Sequence, residues 1–211
     1  DRAIAAARAA EKARDELRKW GAIGLQGGGP HFAATAFIKH QDAQKTGFTA
    51  CVIVRLENSG DRSARALKAS DVCFVGIGMP SAAANLARLT HAPDITLIYE
   101  SGTLATKPSV LPLSIGDGEL CETALTTVSV PEMFRYWLMG GRITIGFLGG
   151  AQIDRFANLN TTVVGPYAKP KVRLPGGGGA PEIAISCGEI FIIMAQSKRS
   201  FVPKLDFITS L

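Results

Sequence analysis

An α/β fold with a largely parallel open sheet is what this sequence predicts, and three observations carry the prediction. From about residue 62, strand-sized apolar runs alternate with helical segments. Hydrophobic residues make up 46% of the 211 and charged residues 19%, which supplies a core and excludes wholesale disorder. Much of the glycine, 23 residues in all, is clustered, and several apolar runs end in glycine-rich loops. Ligands of such folds bind beyond the carboxyl ends of the strands, so those loops are the place to look for function. The length fits one domain of about 100–200 residues with an appended segment.

Residues 1–20 (DRAIAAARAAEKARDELRKW) read as an Ala-rich helix with a thin apolar face of Ile4, Ala7, Leu17 and Trp20. Gly21 stops it, and Gly27-Gly28-Gly29-Pro30 is a clear break. Residues 31–40 are ambiguous. A strand over 48–56 ends in loop composition at 57–61, and 63–69 reads as the end of a helix. Residues 71–75 (DVCFV) form a buried strand that enters the loop Gly76-Ile77-Gly78-Met79-Pro80. The helix over 81–89 has Pro80 near its first position, where a missing N–H costs nothing. A second strand over 94–99 (DITLIY) ends at Glu100-Ser101-Gly102. A helix over 131–138 stops at Gly140-Gly141, and a third strand over 142–148 again ends in glycines. Short strands at 161–164 and 171–173 flank a turn. The loop at 175–180 (PGGGGA) opens a short helix over 181–186, and strands over 189–195 and 201–209 finish the chain. No internal repeat is evident.

Composition narrows the function classes. The net charge of +5 and pI near 9.2 are modest and scattered, which gives no case for nucleic acid. No apolar run reaches the roughly 18–20 residues that span a bilayer, so no membrane partner is expected. No basic start precedes an apolar secretory stretch, and the chain begins at Asp1 rather than Met, so its true start is expected upstream. Cys51, Cys73, Cys121 and Cys187 are far apart with no C-x-x-C pair, which argues against a zinc site and a disulfide framework. The histidines His31, His40 and His91 lack ligand spacing. No metal and a reduced, cytoplasmic setting are the expectation, with Cys73 a buried small hydrophobe.

Four stretches could carry chemistry. Gly76-Ile77-Gly78-Met79-Pro80-Ser81 follows a strand and opens a helix, near a dinucleotide fingerprint with Ser81 where the third glycine belongs. A tight turn without ligand explains it equally well. Glu100 stands at the end of an apolar strand, at the mouth of the sheet. A carboxylate in a partly dry pocket there is a nucleophile or general base; the alternative is a solvated glutamate that starts a loop. Gly149-Gly150-Ala151-Gln152-Ile153-Asp154, with Asn158 and Asn160, offers amides that suit carboxylate recognition or turn capping. The four glycines 176–179 could present bare N–H groups to an oxyanion, or be a flexible loop. Together they suit an anionic ligand that carries an acyl group.

These residues carry a resemblance. VGIGMPSAAANLA (75–87), APDITLIYESG (92–102), GGAQID with NLN shortly after (149–160), GGGGA (176–180) and KLDFITS (204–210) occur in the same order as in the second (β) subunit of family I CoA-transferases, that of glutaconate CoA-transferase foremost. The resemblance runs from about Ala64 to Leu211. It implies a CoA-transferase (NagB/RpiA-like) fold, with residues 62–211 as the β-subunit domain and 1–61 as an unassigned N-terminal extension. Family members continue past the equivalent of Ser210, so the domain is expected to be truncated at its C-terminus.

By that resemblance Glu100 is the nucleophile, which attacks an acyl-CoA and passes through an anhydride to a glutamyl-CoA thioester. Gly177, Gly178 and Gly179 become the oxyanion and CoA-binding loop. Ser101, Gly102, Gly149, Gly150, Gln152 and Asn160 line the substrate pocket, and the Gly76–Pro80 loop becomes scaffold. Coenzyme A enters as substrate with no permanently bound cofactor. The partners are an α subunit, an acyl-CoA and a carboxylate. Arg142, Arg155 and Lys171 are candidates for a distal carboxylate, or solvated surface charges. A CoA-thioester or ring-cleaving hydrolase on the same fold, and a non-catalytic ligand-binding subunit, are the alternatives.

Overall fold

The computed structural model describes residues 35–39, 49–55, 59–195 and 197–210. The helix expected over 1–20 lies outside them. The described residues divide into two compact units: 60–148 with 182–190, and 149–181 with 191–210 and the N-terminal strands.

The first unit is the parallel core. Helix α1 (Ser59–Ala66) starts inside the stretch read as loop, because Ser, Gly and Asp open helices as readily as turns. Strand β3 (Val72–Val75) is followed by helix α2 (Met79–Thr90) and strand β4 (Thr96–Tyr99), the strand–helix–strand unit read from the alternation. β3 and β4 are parallel with Phe74 opposite Ile98. On the other side of β3, strand β7 (Ile145–Leu148) is also parallel, with Cys73 opposite Ile145. Strands β5 (Thr103–Leu104) and β6 (Thr126–Thr127), which no sequence pattern announced, extend this sheet antiparallel beyond β4.

The helices fit this sheet because of size. Ala83, Ala84 and Ala87 of α2 are fully buried, so small side chains let the helix close on the strands. Helix α3 (Gly118–Glu122) is capped by Asp117 and buries Leu120. The helix expected over 131–138 is one α-helical turn, Val130–Glu132, that widens into a π-helix over Met133–Leu138; together they are α4. Met139 N–H donates to Phe134 O at 2.8 Å, and the wider turn keeps Met133 and Leu138, both fully buried, on the inner side. Phe134 meets Phe74 edge-on at 6.0 Å. Helix α5 (Ala180–Ser186) sends Ile183 against β7 at Gly146, where a Cβ would lie 2.7 Å from both Ile183 and Cys187.

In the second unit, strands β1 (Thr35–Lys39) and β2 (Thr49–Arg55) form an antiparallel pair, which resolves the ambiguous 31–40 stretch in part as strand. Two further antiparallel pairs follow: β8 (Gln152–Ile153) with β9 (Leu159–Asn160), and β10 (Val163–Val164) with β11 (Val172–Arg173). Strand β12 (Glu189–Ala195) matches its predicted span. The strand expected over 201–209 does not form. That segment touches β8 through a bridge of Phe201 to Ile153 and β9 through a bridge of Ser210 to Leu159, and arches away between them. Pro203 cannot donate to a ladder, and the Asp206 and Thr209 side chains bond loops instead.

Candidate active site

Glu100 sits at the tip of a tight hairpin at the carboxyl end of β4. Gly102 N–H donates to Tyr99 O at 3.0 Å, which closes a four-residue turn with Glu100 and Ser101 at its centre. Ile98 pairs with Leu104 immediately below. The glycine is demanded by the geometry. Gly102 has φ +98°, and a Cβ there would lie 2.0 Å from Val128 O. Val128 N–H in turn donates to Gly102 O at 2.9 Å, which locks the turn to the segment behind β6. Glu100 itself is half-buried, and no hydrogen bond to its carboxylate forms among the described residues. The Ser101 Oγ is buried without a partner beside it, and so is Thr103 Oγ1.

Beneath the turn, β4 is anchored by a buried polar chain. Tyr99 is fully buried and its hydroxyl lies 2.8 Å from Ser81 Oγ. Asn85 Nδ2 donates to Ser81 O at 2.9 Å, and Arg88 Nε donates to Asn85 Oδ1 at 3.2 Å. Arg88 also donates to Pro108 O at 2.6 Å. Burial is the main cause that pushes the Tyr99 phenol above its ordinary range, so the hydroxyl keeps its proton. The Gly76–Pro80 loop serves this anchor. Gly78, at φ +81°, starts α2 so that Ser81 and Asn85 face the sheet.

The other expected site residues lie in the second unit. Gln152 and Asn160 are buried opposite each other in the β8–β9 pair, and their amides are committed. Asn160 Nδ2 donates to Gln152 Oε1 (2.7 Å) and Val163 O (2.6 Å), while its Oδ1 accepts from the N–H groups of Thr162 and Val163. Gln152 Nε2 donates to Asp206 Oδ2 at 3.0 Å, and Asp206 N–H returns to Gln152 Oε1 at 3.1 Å. The Gly165 N–H, then the Gln152 amide, hold the Asp206 carboxyl below its ordinary range. Asp154 closes the intervening turn by accepting from Phe156 N–H, Asn158 N–H and Asn158 Nδ2. At Gly150 a Cβ would sit 3.3 Å from Leu159, so this glycine fits β9 closely; Gly149 is exposed.

The glycine-rich loop is fastened at both ends and open between. Gly176 N–H donates to Thr161 O (2.9 Å), Thr161 Oγ1 donates back to Gly176 O (2.7 Å), and Ala180 N–H donates to Gly177 O (2.9 Å). Gly178 has φ +51° and open space around it.

A family model for Coenzyme A transferase matches residues 56–211. The chain belongs to the coenzyme A transferase family. It is 69% identical over 149 residues to the second (β) subunit of 3-oxoadipate CoA-transferase from Pseudomonas knackmussii, a match that covers 71% of this chain and 57% of the relative. It is 38% identical over 152 residues to the corresponding subunit of glutaconate CoA-transferase from Acidaminococcus fermentans, covering 70% and 56%. The crystal structure of that organism's glutaconate coenzyme A-transferase superposes with a TM-score of 0.66 over 72% of this chain and 60% of the solved one, at 33% identity. The chain thus spans little more than half the length of these curated relatives. The expected likeness to the glutaconate enzyme holds, and the 3-oxoadipate enzyme is much more similar in sequence.

Within this CoA-transferase chain the site candidates fall into two groups. Glu100, Ser101 and Gly102 share one turn; Gly149, Gly150, Gln152, Asn160 and the 177–179 glycines share the other unit. Of the candidate cations, Arg142 donates to Tyr136 O and Arg155 lies 4.6 Å from the Phe156 ring centre, so both have internal partners. Cys73 is buried as expected, and burial raises its thiol far above the ordinary range; that of Cys187 is pushed up to about 12. Neither is a nucleophile. Among the described residues no three His, Cys, Asp or Glu side chains converge on a metal position, and no helix is long and apolar enough to cross a membrane. Sequence reasoning missed the Tyr99–Ser81–Asn85–Arg88 chain. Its signal was available, since Ser81, Asn85 and Arg88 recur at helical spacing along α2.

Proposed function

We propose that this chain is the glutamate-bearing β half of an acyl-CoA:carboxylate CoA-transferase that works with an α subunit. The observation that carries the reading is Glu100: a carboxylate free of internal partners, on a turn whose backbone is pinned at Tyr99 and Gly102. A carboxylate is a weak nucleophile in water, and a half-buried one on a held backbone turn has lost part of its solvent shell.

A Glu100 oxygen attacks the thioester carbonyl; the C–S bond breaks and CoA leaves as thiolate, which gives an acyl–glutamyl anhydride. The thiolate attacks the glutamyl carbonyl, and the acyl group departs as a carboxylate. A second carboxylate reverses both steps from the glutamyl-CoA thioester. Each tetrahedral intermediate carries an oxyanion, and the open backbone N–H groups of Gly177, Gly178 and Gly179 are of the kind that stabilises one. Loss of one such donor costs about 10²–10³ in rate. Ser101 and Gly102 border the acyl group beside Glu100, while Gln152 and Asn160 act as positioning residues that hold the loops of their own unit, Gly149 and Gly150 among them. Coenzyme A is substrate, and no resident cofactor takes part in these steps. The 69% identical relative suggests a 3-oxo dicarboxylate such as 3-oxoadipate as one partner acid.

Intact mass of the chain, co-expressed with its α subunit and mixed briefly with an acyl-CoA, tests this. A CoA-sized adduct mapped to Glu100, trapped by borohydride and absent in Glu100→Gln, is expected. Free CoA without adduct would replace the reading with hydrolysis, the activity named for a mycobacterial ring-cleaving hydrolase subunit 30% identical to this chain over 142 residues. Acyl-CoA binding without any reaction would make the chain a ligand-binding subunit.

A further inference from the structure

We propose that the β10–β11 hairpin bears a ledge for the 3′-phospho-ADP end of coenzyme A, an inference that rests on the transferase reading. Tyr167 and Phe207 stack with ring centres 5.5 Å apart and planes 25° apart, and the Arg173 guanidinium lies 5.0 Å from the Tyr167 centre. Tyr167 remains 59% exposed in spite of both neighbours. Lys169, Lys171 and Arg173 recur at alternate positions beside it, all exposed. A planar π-surface joined to a guanidinium and two ammonium groups is the chemistry that holds a base and its phosphates.

The ledge is rigid. Val163 pairs with Arg173 and Val164 with Val172. Lys171 N–H donates to Val164 O (2.9 Å), Lys169 N–H to Pro166 O (3.0 Å) and Gly165 N–H to Asp206 Oδ2 (2.9 Å). Asp206 is the acid beside Lys171, and it is already engaged by Gly165 and Gln152, which leaves the three cations in excess.

Its place in the chain fits one ligand. β11 runs straight into the glycine loop, with Arg173 four residues before Gly177, a reach of at most ~14 Å. Leu174 N–H to Thr162 O (3.0 Å) and Gly176 N–H to Thr161 O (2.9 Å) keep loop and hairpin in one hydrogen-bonded module. Coenzyme A carries a thioester at one end and adenine with three phosphoryl groups at the other, which matches an oxyanion loop followed by a cationic aromatic ledge.

The test is calorimetric titration of the complex of the full chain and its α subunit with 3′,5′-ADP, together with turnover of acyl-CoA and of the matching acyl-pantetheine. Tyr167→Ala and Arg173→Ala are each expected to weaken 3′,5′-ADP about tenfold. The wild-type preference for acyl-CoA over acyl-pantetheine should shrink by the same factor through KM. Tyr167→Phe should retain the wild-type affinity. These positions are exposed, so the variants fold. Unchanged affinity in both alanine variants overturns the ledge, and so does a wild type that ignores 3′,5′-ADP. Loss of α-subunit association with CoA affinity intact would also overturn it and assign the surface to an acidic protein partner. A glutamyl-CoA adduct that persists while the titration fails removes the ledge alone. A titration that succeeds while no adduct forms removes the transferase reading alone.

Discussion

The Y-E-S-G turn and the G-G-A-Q-I-D…N-L-N stretch are equally prominent as sequence strings, yet they are built in opposite ways. In the first, the Glu100 carboxylate and the Ser101 hydroxyl are free, while the backbone and Tyr99 beside them are engaged: Tyr99 with Ser81, Gly102 with Val128. In the second, the polar side chains themselves are engaged, Asn158 Oδ1 excepted. Asn160 and Gln152 hold each other, Asp206 and the neighbouring backbone, and Asp154 closes its own turn. A buried amide with all its bonds made inside the fold stabilises a loop; a carboxylate left unpaired beside fixed groups is available to a substrate.

The sharpest break of this comparison is Glu100→Gln. Turnover should fall by about 10³-fold or more, while urea denaturation stays within about 0.5 kcal/mol of wild type, since the side chain has no internal partner. A large loss of stability would make Glu100 structural. Gly102→Ala comes next. Its Cβ would meet Val128 O at 2.0 Å, in a backbone region that side chains rarely adopt, so a loss of about 2–5 kcal/mol is expected in the same denaturation experiment.

Asn160→Ala should cost about 2–3 kcal/mol, because the buried N–H groups of Thr162 and Val163 lose their acceptor. A stable variant with a raised KM would instead make the Asn160 amide a substrate ligand. The smallest effect belongs to Asp206. Its carboxyl is held below the ordinary range, so its contribution is full above the unfolded value near 3.9 and is lost as pH falls through the lower folded one. The acid-side drop in Tm should flatten in Asp206→Asn; an unchanged profile would remove the carboxylate's role.

Much of this was legible in the chain. The runs DVCFV and DITLIY, with SAAANLARL between them, imply a parallel strand–helix–strand unit, because short β-branched apolar runs of strand length flank a longer segment of helical composition. Strand starts were read too early at Asp94 and Arg142: Ile95 N–H closes a turn on Ala92 O before β4, and Arg142 bonds Trp137 O and Tyr136 O before β7. The two-residue strands at 103–104 and 126–127 escaped notice since so short a strand has no period. The expected strand over 201–209 failed because its polar side chains found loop partners that only the fold supplies.

By itself the sequence determined the α/β class, the position of Glu100 at a strand end and the glycine that follows it two residues on, all consequences of local pattern and backbone freedom. Only the tertiary structure decided which polar groups are consumed and which remain free. That depends on partners such as Asp206 and Gln152, 54 residues apart in the chain and 3.0 Å apart in the fold, and no local pattern encodes a distance of that kind.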